Sequence, residues 1–240
     1  DHPSDTYHLL ASDPRTRHII RILQARPGDT IRVGVVEGAQ GAATVREISD
    51  TGITLQVDWR QTRNTRLPVR VILGHPRPPV LQRLLRDLTA LRVDEIHVFV
   101  GKLSESAYQE SSIWNKTDSL IREGLCQGML SATPALFRWR SLSDAVDAVL
   151  PASKIPASTG HRVYGAVRSP ALHLTTLLAE IRESPVPDVM VAVGPERGFI
   201  PEEETLLMTH GFSGVGMGAS TLRTETATII LAGAVCSALS

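Results

Sequence analysis

The chain has 240 residues, of which 42% are hydrophobic and only 4% aromatic, so we expect a globular protein with an aliphatic core. Lys plus Arg equals Asp plus Glu at 25 each, which argues against a non-specific nucleic-acid binder but leaves room for a local basic patch. Cys126 and Cys236 have no metal-ligand spacing, and no apolar run is long enough to span a membrane. These features predict free thiols, no metal site and a cytoplasmic location.

The first third of the chain is predicted to be rich in β-strands. Apolar and polar residues alternate in residues 30–36, 43–48 and 53–59, and turn residues separate the three runs. Short strands at this spacing predict a small barrel. Ahead of them, the spacing of apolar residues predicts a helix over residues 15–26, ended by Pro27 and Gly28.

Beyond a boundary near residue 68, strand patterns alternate with helix patterns, which predicts an α/β domain with a mostly parallel sheet. The predicted strands are residues 69–73, 95–100, 162–167, 189–193 and 212–215, and the predicted helices are residues 80–91, 114–128, 143–150, 171–182 and 228–239.

Two glycine-rich turns follow predicted strands near the C-terminus. Residues 194–199 follow the apolar strand at 189–193, and residues 216–221 follow the strand at 212–215. Glycine lets the backbone approach a ligand closely or reach φ > 0. Because ligands in open α/β sheets bind outside the carboxyl ends of the strands, these turns predict a pocket for a small polar ligand.

The same turns carry a resemblance to a known family. The segments Gly194-Pro195-Glu196-Arg197-Gly198-Phe199 and Leu222-Arg223-Thr224-Glu225-Thr226-Ala227 resemble the GPEGG-F/L and LRTETA motifs of the RsmE-type 16S rRNA uridine-N3 methyltransferases, within the SPOUT superfamily. A weaker match covers His18 to Leu23 and Arg26 to Asp29.

The resemblance implies a PUA-like β-barrel RNA-binding domain over residues 1–68 and a SPOUT methyltransferase domain with a C-terminal trefoil knot over residues 69–240. It further implies S-adenosyl-L-methionine as cofactor, ribosomal RNA of the small subunit as substrate, and a homodimer. The residues it assigns to the cofactor are Gly165, Val193, Gly194, Pro195, Glu196, Gly198, Met217, Gly218, Leu222, Arg223, Thr224 and Thr226, and those it assigns to RNA are His18, Arg21 and Arg26.

Arg223 and Glu196 are the catalytic candidates, and each has an alternative interpretation. Arg223 holds the methionine carboxylate or a substrate phosphate, or else forms an ion pair with Glu225 or Glu196. Glu196 is the proton acceptor, or else it forms a salt bridge or caps a helix start. The histidines outside the barrel motif, His75 and His97 among them, are interpreted as surface or loop residues. Aromatic side chains such as Tyr108, Trp114 and Trp139 are interpreted as core residues rather than base-stacking platforms.

Several charged positions of the family are changed in this chain, which indicates a diverged member. The family's motifs carry different residues at Gln24, Asp87, Ala90, Arg92, Cys126, Leu130 and Arg197. The leading prediction from the resemblance is an enzyme that uses S-adenosyl-L-methionine to methylate N3 of a uridine in 16S rRNA. Two alternatives stay open: a non-catalytic RNA-binding or assembly factor, and an enzyme of the same fold with a different RNA substrate.

Overall fold

The computed structural model of the chain describes residues 5–60, 65–152, 160–167, 170–185 and 188–240. The described residues fall into two compact units. One comprises the residues up to Arg60 together with Met129–Ala132, and the other comprises Thr65–Gly128 and the residues from Thr133 onward.

The first unit is built on a four-stranded antiparallel sheet in the order β1-β4-β3-β2. Its apolar side chains alternate along the strands, so that Val45, Ile53 and Leu55 are buried on one face with Ile19. The three predicted strands are confirmed, and a further strand precedes them. The strands are β1 (Thr6–Leu10), β2 (Thr30–Gly34), β3 (Gln40–Ser49) and β4 (Gly52–Arg60).

The helix predicted over residues 15–26 is wrong in length. Asp13 caps a short helix, α1 (Pro14–Arg17), by accepting the Arg15 N–H at 2.8 Å, and a π-helical turn (His18–Ile22) follows directly. Gln24 then adopts a left-handed conformation with φ of 52°, which no helix can continue. The predicted single helix is therefore replaced by two short helical segments, Pro14–Arg17 and His18–Ile22.

The second unit contains a seven-stranded parallel sheet in the order β7-β6-β5-β10-β8-β11-β9. The α/β architecture with a parallel sheet is thus confirmed. The strand at 135–139 and the helix at 201–209 were not predicted from the sequence, and Leu172–His173, predicted to belong to a helix over residues 171–182, form a short strand instead. In chain order the elements are β5 (Leu67–Gly74), α2 (Pro78–Ala90), β6 (Val93–Phe99), α3 (Thr117–Gly128), β7 (Ala135–Trp139), α4 (Leu142–Ala152), β8 (His161–Gly165), β9 (Leu172–His173), α5 (Leu174–Glu183), β10 (Val189–Val193), α6 (Pro201–Thr209), β11 (Ser213–Gly216) and α7 (Thr224–Ala238).

Each face of this sheet has its own apolar core. Val71 and Val191 point into the core formed with α2, α3, α5 and α7. Their neighbours Ile72 and Ala192 point into the opposite core, formed with α4 and α6. Since β5 and β10 are buried on both faces, their sequences are continuous apolar runs, as is typical of central parallel strands.

The residue that follows the end of α2 and its C-cap has a left-handed backbone conformation. This residue is Arg92, with a φ of 67°, and it stands where the motif of the resembled family has glycine, the residue that adopts this conformation most easily. Its guanidinium donates to the Thr65 carbonyl oxygen at 2.7 Å from Nη2. Among the described residues, no helix is both long and apolar enough to cross a membrane.

Candidate cofactor-binding site

The predicted cofactor residues lie at one edge of the parallel sheet. Strands β5, β10, β8 and β11 are consecutive neighbours and end at Gly74, Val193, Gly165 and Gly216. Because the strands are parallel, the loops that follow them emerge at the same edge. The structure therefore brings the two glycine-rich turns together, and the role of their residues in binding remains a prediction.

The loop after β10 is packed tightly against the end of β5. A Cβ atom on Gly74 would lie only 2.4 Å from the backbone nitrogen of Pro195, and one on Gly194 would lie 2.9 Å from the carbonyl carbon of Gly198. The Gly198 N–H donates to the Pro195 carbonyl oxygen at 2.8 Å and closes the turn. Gly74 and Gly194 are therefore required by close packing within the chain itself.

Gly198 and Gly218 differ from these packed glycines because their backbones face open space. Their φ values are 76° and 122°, and a Cβ atom at either residue would have no atom of the described residues within 4 Å. A backbone that is bare on its outer side, in two loops at one sheet edge, is what a cofactor lying against main-chain atoms requires. The described residues thus fit the adenosine-containing cofactor that the resemblance implies.

The loops after β8 and β11 also contact each other. The Ala166 N–H donates to the Val215 carbonyl oxygen at 3.0 Å, and the Met217 side chain passes 3.2 Å from the position of a Cβ on Gly165. A Cβ on Gly216 would lie 2.8 Å from Pro170 Cγ. The predicted residues Gly165 and Met217 are therefore neighbours in the structure.

Thr224 joins the two motifs of the site. Its buried hydroxyl donates to the Gly194 carbonyl oxygen at 3.1 Å, and its own carbonyl oxygen accepts from the Thr228 hydroxyl at 2.7 Å. Thr226, by contrast, is exposed on the first turn of α7. Of the two predicted threonines, Thr224 holds the loop after β10 against the start of α7.

Arg223 is exposed at the N-cap of α7. No hydrogen bond or ion pair holds its guanidinium within the part of the chain that the structure describes. Glu225, one of the two partners proposed for Arg223, instead forms a bidentate ion pair with Arg83 of α2. Arg83 Nη2 lies 2.9 Å from Glu225 Oε2. Arg83 also lowers the pKa of the Glu225 carboxyl, chiefly through that hydrogen bond.

Glu196 makes the contact expected for a residue at a helix start. Its Oε1 accepts the backbone N–H of Arg77 at 2.7 Å, and Arg77 directly precedes α2. Pro78 and Pro79 have no N–H group, so the Arg77 N–H is the donor nearest the start of this helix. The carboxylate therefore links the loop after β10 to the loop after β5.

A second glutamate, Glu203, was not among the predicted site residues. It is buried in the first turn of α6, where Oε2 accepts the Ile200 N–H at 3.1 Å and Oε1 accepts the Lys102 N–H at 3.0 Å. A glutamate three residues after the residue that precedes a helix is the sequence signal for this arrangement. Glu203 thereby fixes the loop after β6 beside the loop after β10.

The residues predicted to bind RNA lie in the first unit. His18 and Arg21 belong to the π-helical turn, and Arg26 follows it; all three are exposed. The backbone N–H of Arg26 donates to Asp29 Oδ2 at 2.8 Å, which holds the turn that leads into β2.

The interpretation of His97 as a surface or loop residue is wrong, since it is buried within β6. His75 does lie in a loop, the one that follows β5, but its side chain is buried. His97 accepts the indole N–H of Trp139 on Nδ1 at 3.0 Å, so its Nε2 carries the proton and donates to Glu95 at 2.7 Å. Burial is the main cause of the lowered pKa of His97. The expected free thiols are confirmed, with Cys236 buried and Cys126 exposed.

The sequence is similar to those of known RNA methyltransferases. Residues 63–236 match the family described as the RNA methyltransferase domain. Ribosomal RNA small subunit methyltransferase E of Treponema pallidum is 28% identical over 91% of this chain and 81% of its own length. Ribosomal RNA small subunit methyltransferase E 1 of Borreliella burgdorferi is 24% identical over 92% of this chain and 89% of its own length.

Two solved structures share the fold at low sequence identity. Ribosomal RNA small subunit methyltransferase E of Neisseria gonorrhoeae, bound to S-adenosyl methionine, superposes with a TM-score of 0.75 at 19% identity, over 99% of this chain and 94% of that one. A methyltransferase of Legionella pneumophila in complex with the same cofactor gives 0.73 at 19% identity, over 99% and 94%. Because the match to the RNA methyltransferase domain extends over residues 63–236, the chain belongs to the RNA methyltransferase family.

Proposed function

We propose that this chain transfers a methyl group from S-adenosyl-L-methionine to N3 of a uridine in the ribosomal RNA of the small subunit. The observation that carries the proposal is the pair of open glycines, Gly198 and Gly218, on two loops joined by the Thr224–Gly194 hydrogen bond. The two relatives named as small-subunit ribosomal RNA methyltransferases support the class of substrate.

The bound cofactor supplies an electrophilic methyl group on a sulfonium. The open backbones of Gly198 and Gly218 would hold its adenosine, and Gly194, Met217 and Leu222 would lie beside them. Arg223, whose guanidinium no neighbour occupies among the described residues, would hold the methionine carboxylate. Glu196 acts in this account by positioning the loop after β10, because its carboxylate already binds the Arg77 N–H.

In this proposal the first unit binds RNA and the second carries out methyl transfer. The first unit, with its antiparallel sheet and the exposed His18, Arg21 and Arg26, is the PUA-like barrel that binds RNA. The second is the SPOUT domain, whose C-terminal trefoil knot includes the contact between Thr224 and Gly194. The proposed assembly is a homodimer, on the strength of the family relationship alone.

One observation favours the second candidate, an RNA-binding or assembly factor without methyltransferase activity. Asp87 replaces a family lysine on α2, and the pKa of its carboxyl is raised first by burial and then by the nearby Glu225. A carboxylate in place of a cation weakens any contact that this part of α2 makes with RNA phosphates. Cofactor binding and methyl transfer separate the two candidates.

Product analysis tests the leading proposal. Purified protein is incubated with S-adenosyl-L-methionine and small ribosomal subunits that lack the modification, and the RNA is digested to nucleosides for mass spectrometry. The proposal predicts N3-methyluridine in the small-subunit RNA. Methylation at another base or another ring position would contradict the assigned reaction, and cofactor binding without any methylated nucleoside would favour the non-catalytic factor.

A further inference from the structure

His75 lies at the same sheet edge as the candidate cofactor-binding site. It is the first residue after β5, and its backbone N–H donates to the Phe99 carbonyl oxygen at 2.7 Å. The residue before it, Gly74, packs directly on Pro195, and Arg77 two residues later is held by Glu196. His75 is therefore fixed to the loop that carries the Gly-Pro-Glu motif.

Among the described residues, no hydrogen-bond partner lies near one nitrogen of the His75 ring. Nδ1 lies 2.7 Å from the Pro76 carbonyl oxygen, which can only accept, so Nδ1 carries the proton. Nε2 is then an acceptor, and within the described part of the chain no donor reaches it although the residue is only 1% exposed. Burying an acceptor without a partner costs about 1–3 kcal/mol, so its retention calls for a functional explanation.

The surroundings keep the ring neutral. Burial is the largest cause of the lowered pKa of His75, and the positive charge of Arg138 acts in the same direction. The Pro76 and Tyr108 carbonyl groups and the charge of Glu196 oppose this change without reversing it. At neutral pH the Nε2 lone pair is therefore available to receive a proton.

Aromatic rings cover His75 on two sides. The ring centre of Tyr108 lies 5.5 Å away and that of Trp114 lies 5.3 Å away. Both side chains are half-buried and lie on two short helical turns, Ser106–Glu110 and Ser112–Lys116. The Arg138 guanidinium sits 4.1 Å from the centre of the Trp114 ring. Flat rings beside a cation form a surface on which an unstacked RNA base packs well.

We propose that His75 Nε2 accepts the N3 proton of the target uridine while Tyr108 and Trp114 flank the base. The inference rests on the proposed function and adds the missing proton acceptor to it. The N3–H bond breaks and its proton binds Nε2, and the electron pair left on N3 forms the new bond to the methyl group. The methyl–sulfur bond breaks with its electron pair kept by sulfur, and the imidazolium then releases its proton to water. Because His75 is buried beneath these rings, the proposal requires the turns that carry Tyr108 and Trp114 to part far enough for the base to enter between the two rings.

A measurement that does not depend on turnover tests the contact itself. Protein labelled with ¹⁵N in its histidines is titrated with a uridine-containing RNA oligonucleotide in the presence of S-adenosylhomocysteine. The His75→Gln spectrum, which lacks the His75 signals, assigns the Nε2 resonance. The proposal predicts that uridine RNA shifts this resonance in the direction of hydrogen bonding, and that the same RNA carrying N3-methyluridine does not. Equal responses to both RNAs, or no response to either, would overturn it.

Kinetics of two matched variants test the chemical role. His75→Gln keeps an acceptor near the Nε2 position that cannot take up a proton, and His75→Asn keeps a donor for the Pro76 carbonyl without any group at Nε2. A general base contributes about 10²–10⁴-fold, so kcat is expected to fall at least 100-fold in both variants, with cofactor and RNA Kd changed less than about threefold. A kcat within about threefold of wild type in a folded variant would refute the role of His75. If the wild-type protein does not bind the cofactor, the proposed function is refuted instead, and the NMR titration still decides whether His75 contacts the base.

Discussion

The carboxylate of Glu196 accepts the backbone N–H of Arg77 at 2.7 Å, although 119 residues separate the two along the chain. The contact joins the Gly-Pro-Glu loop to the start of α2, whose first two residues are prolines and have no N–H to offer. Glu196 thus acts on the candidate site through the position of a loop, and the proton acceptor is to be sought elsewhere.

The contact predicts different outcomes for two substitutions of Glu196. The side-chain oxygen of glutamine can still accept the Arg77 N–H, so Glu196→Gln should keep cofactor affinity within about threefold. Glu196→Ala removes the hydrogen bond that joins the loop after β10 to Arg77. Cofactor binding should weaken about tenfold, equivalent to the ~1.4 kcal/mol of one charge-assisted hydrogen bond. Cofactor titration and methyl-transfer assays of both variants measure this. If Glu196→Gln abolished transfer while cofactor still bound, Glu196 would be a proton acceptor after all.

The open glycines predict a specific loss of cofactor affinity. Alanine at Gly198 or Gly218 adds a methyl group to the free side of the loop and strains a backbone at positive φ, so cofactor affinity should fall at least about tenfold and stability by about 1 kcal/mol. Gly28 offers a matched control in the first unit, since its φ is 98° and a Cβ there would also meet no atom within 4 Å in the part of the chain that the structure describes. Gly28→Ala should lose similar stability and bind cofactor normally. Unchanged cofactor affinity in both Gly198→Ala and Gly218→Ala would remove the two loops from the binding site.

The hydroxyl of Thr224 is predicted to stabilise the second unit. Thr224→Val keeps the shape of the side chain but leaves the Gly194 carbonyl oxygen without this donor, which should lower the free energy of unfolding by about 1–3 kcal/mol. Thr226→Val, two residues later and exposed, should change it by less than about 0.5 kcal/mol. Urea unfolding of the two variants measures the difference. Equal effects would show that the contact between the motifs contributes nothing to stability.

The buried histidines predict that the protein is less stable in mild acid. Burial lowers the pKa of both His75 and His97 in the folded state, whereas an unfolded chain takes up these protons near pH 6.5. Below that pH the unfolded state binds more protons, so the free energy of unfolding falls as pH falls, by at most about 1.4 kcal/mol per pH unit for each group. His75→Leu should reduce this slope between pH 6.5 and 5 without abolishing it. The same slope in the variant, measured by urea unfolding at each pH, would mean that His75 titrates normally in the folded protein.

Sequence patterns were sufficient to locate elements that depend on residues close together in the chain. Alternation located β2, β3 and β4, and apolar runs followed by glycine located β10 and β11 with the loops of the candidate site. The failures have physical causes as well. The left-handed conformation of Gln24 divides a segment whose apolar spacing alone predicts a continuous helix.

Other features of the site depend on partners that are distant in the chain. Glu203 binds the N–H of a residue 101 positions away, and the Arg83–Glu225 pair spans 142 positions. The burial of His75 likewise depends on Tyr108 and Trp114, which only the folding of the sheet brings over it. No periodicity in the sequence records which of these side chains meet.

Calorimetric titration of the purified chain with S-adenosyl-L-methionine measures whether the loops after β10 and β11 form a cofactor site. We expect one site per chain with micromolar affinity, weakened at least about tenfold by Arg223→Ala and unchanged by Arg122→Ala, which removes an exposed arginine from α3. Absence of binding by a folded sample, or equal effects of the two substitutions, would contradict it.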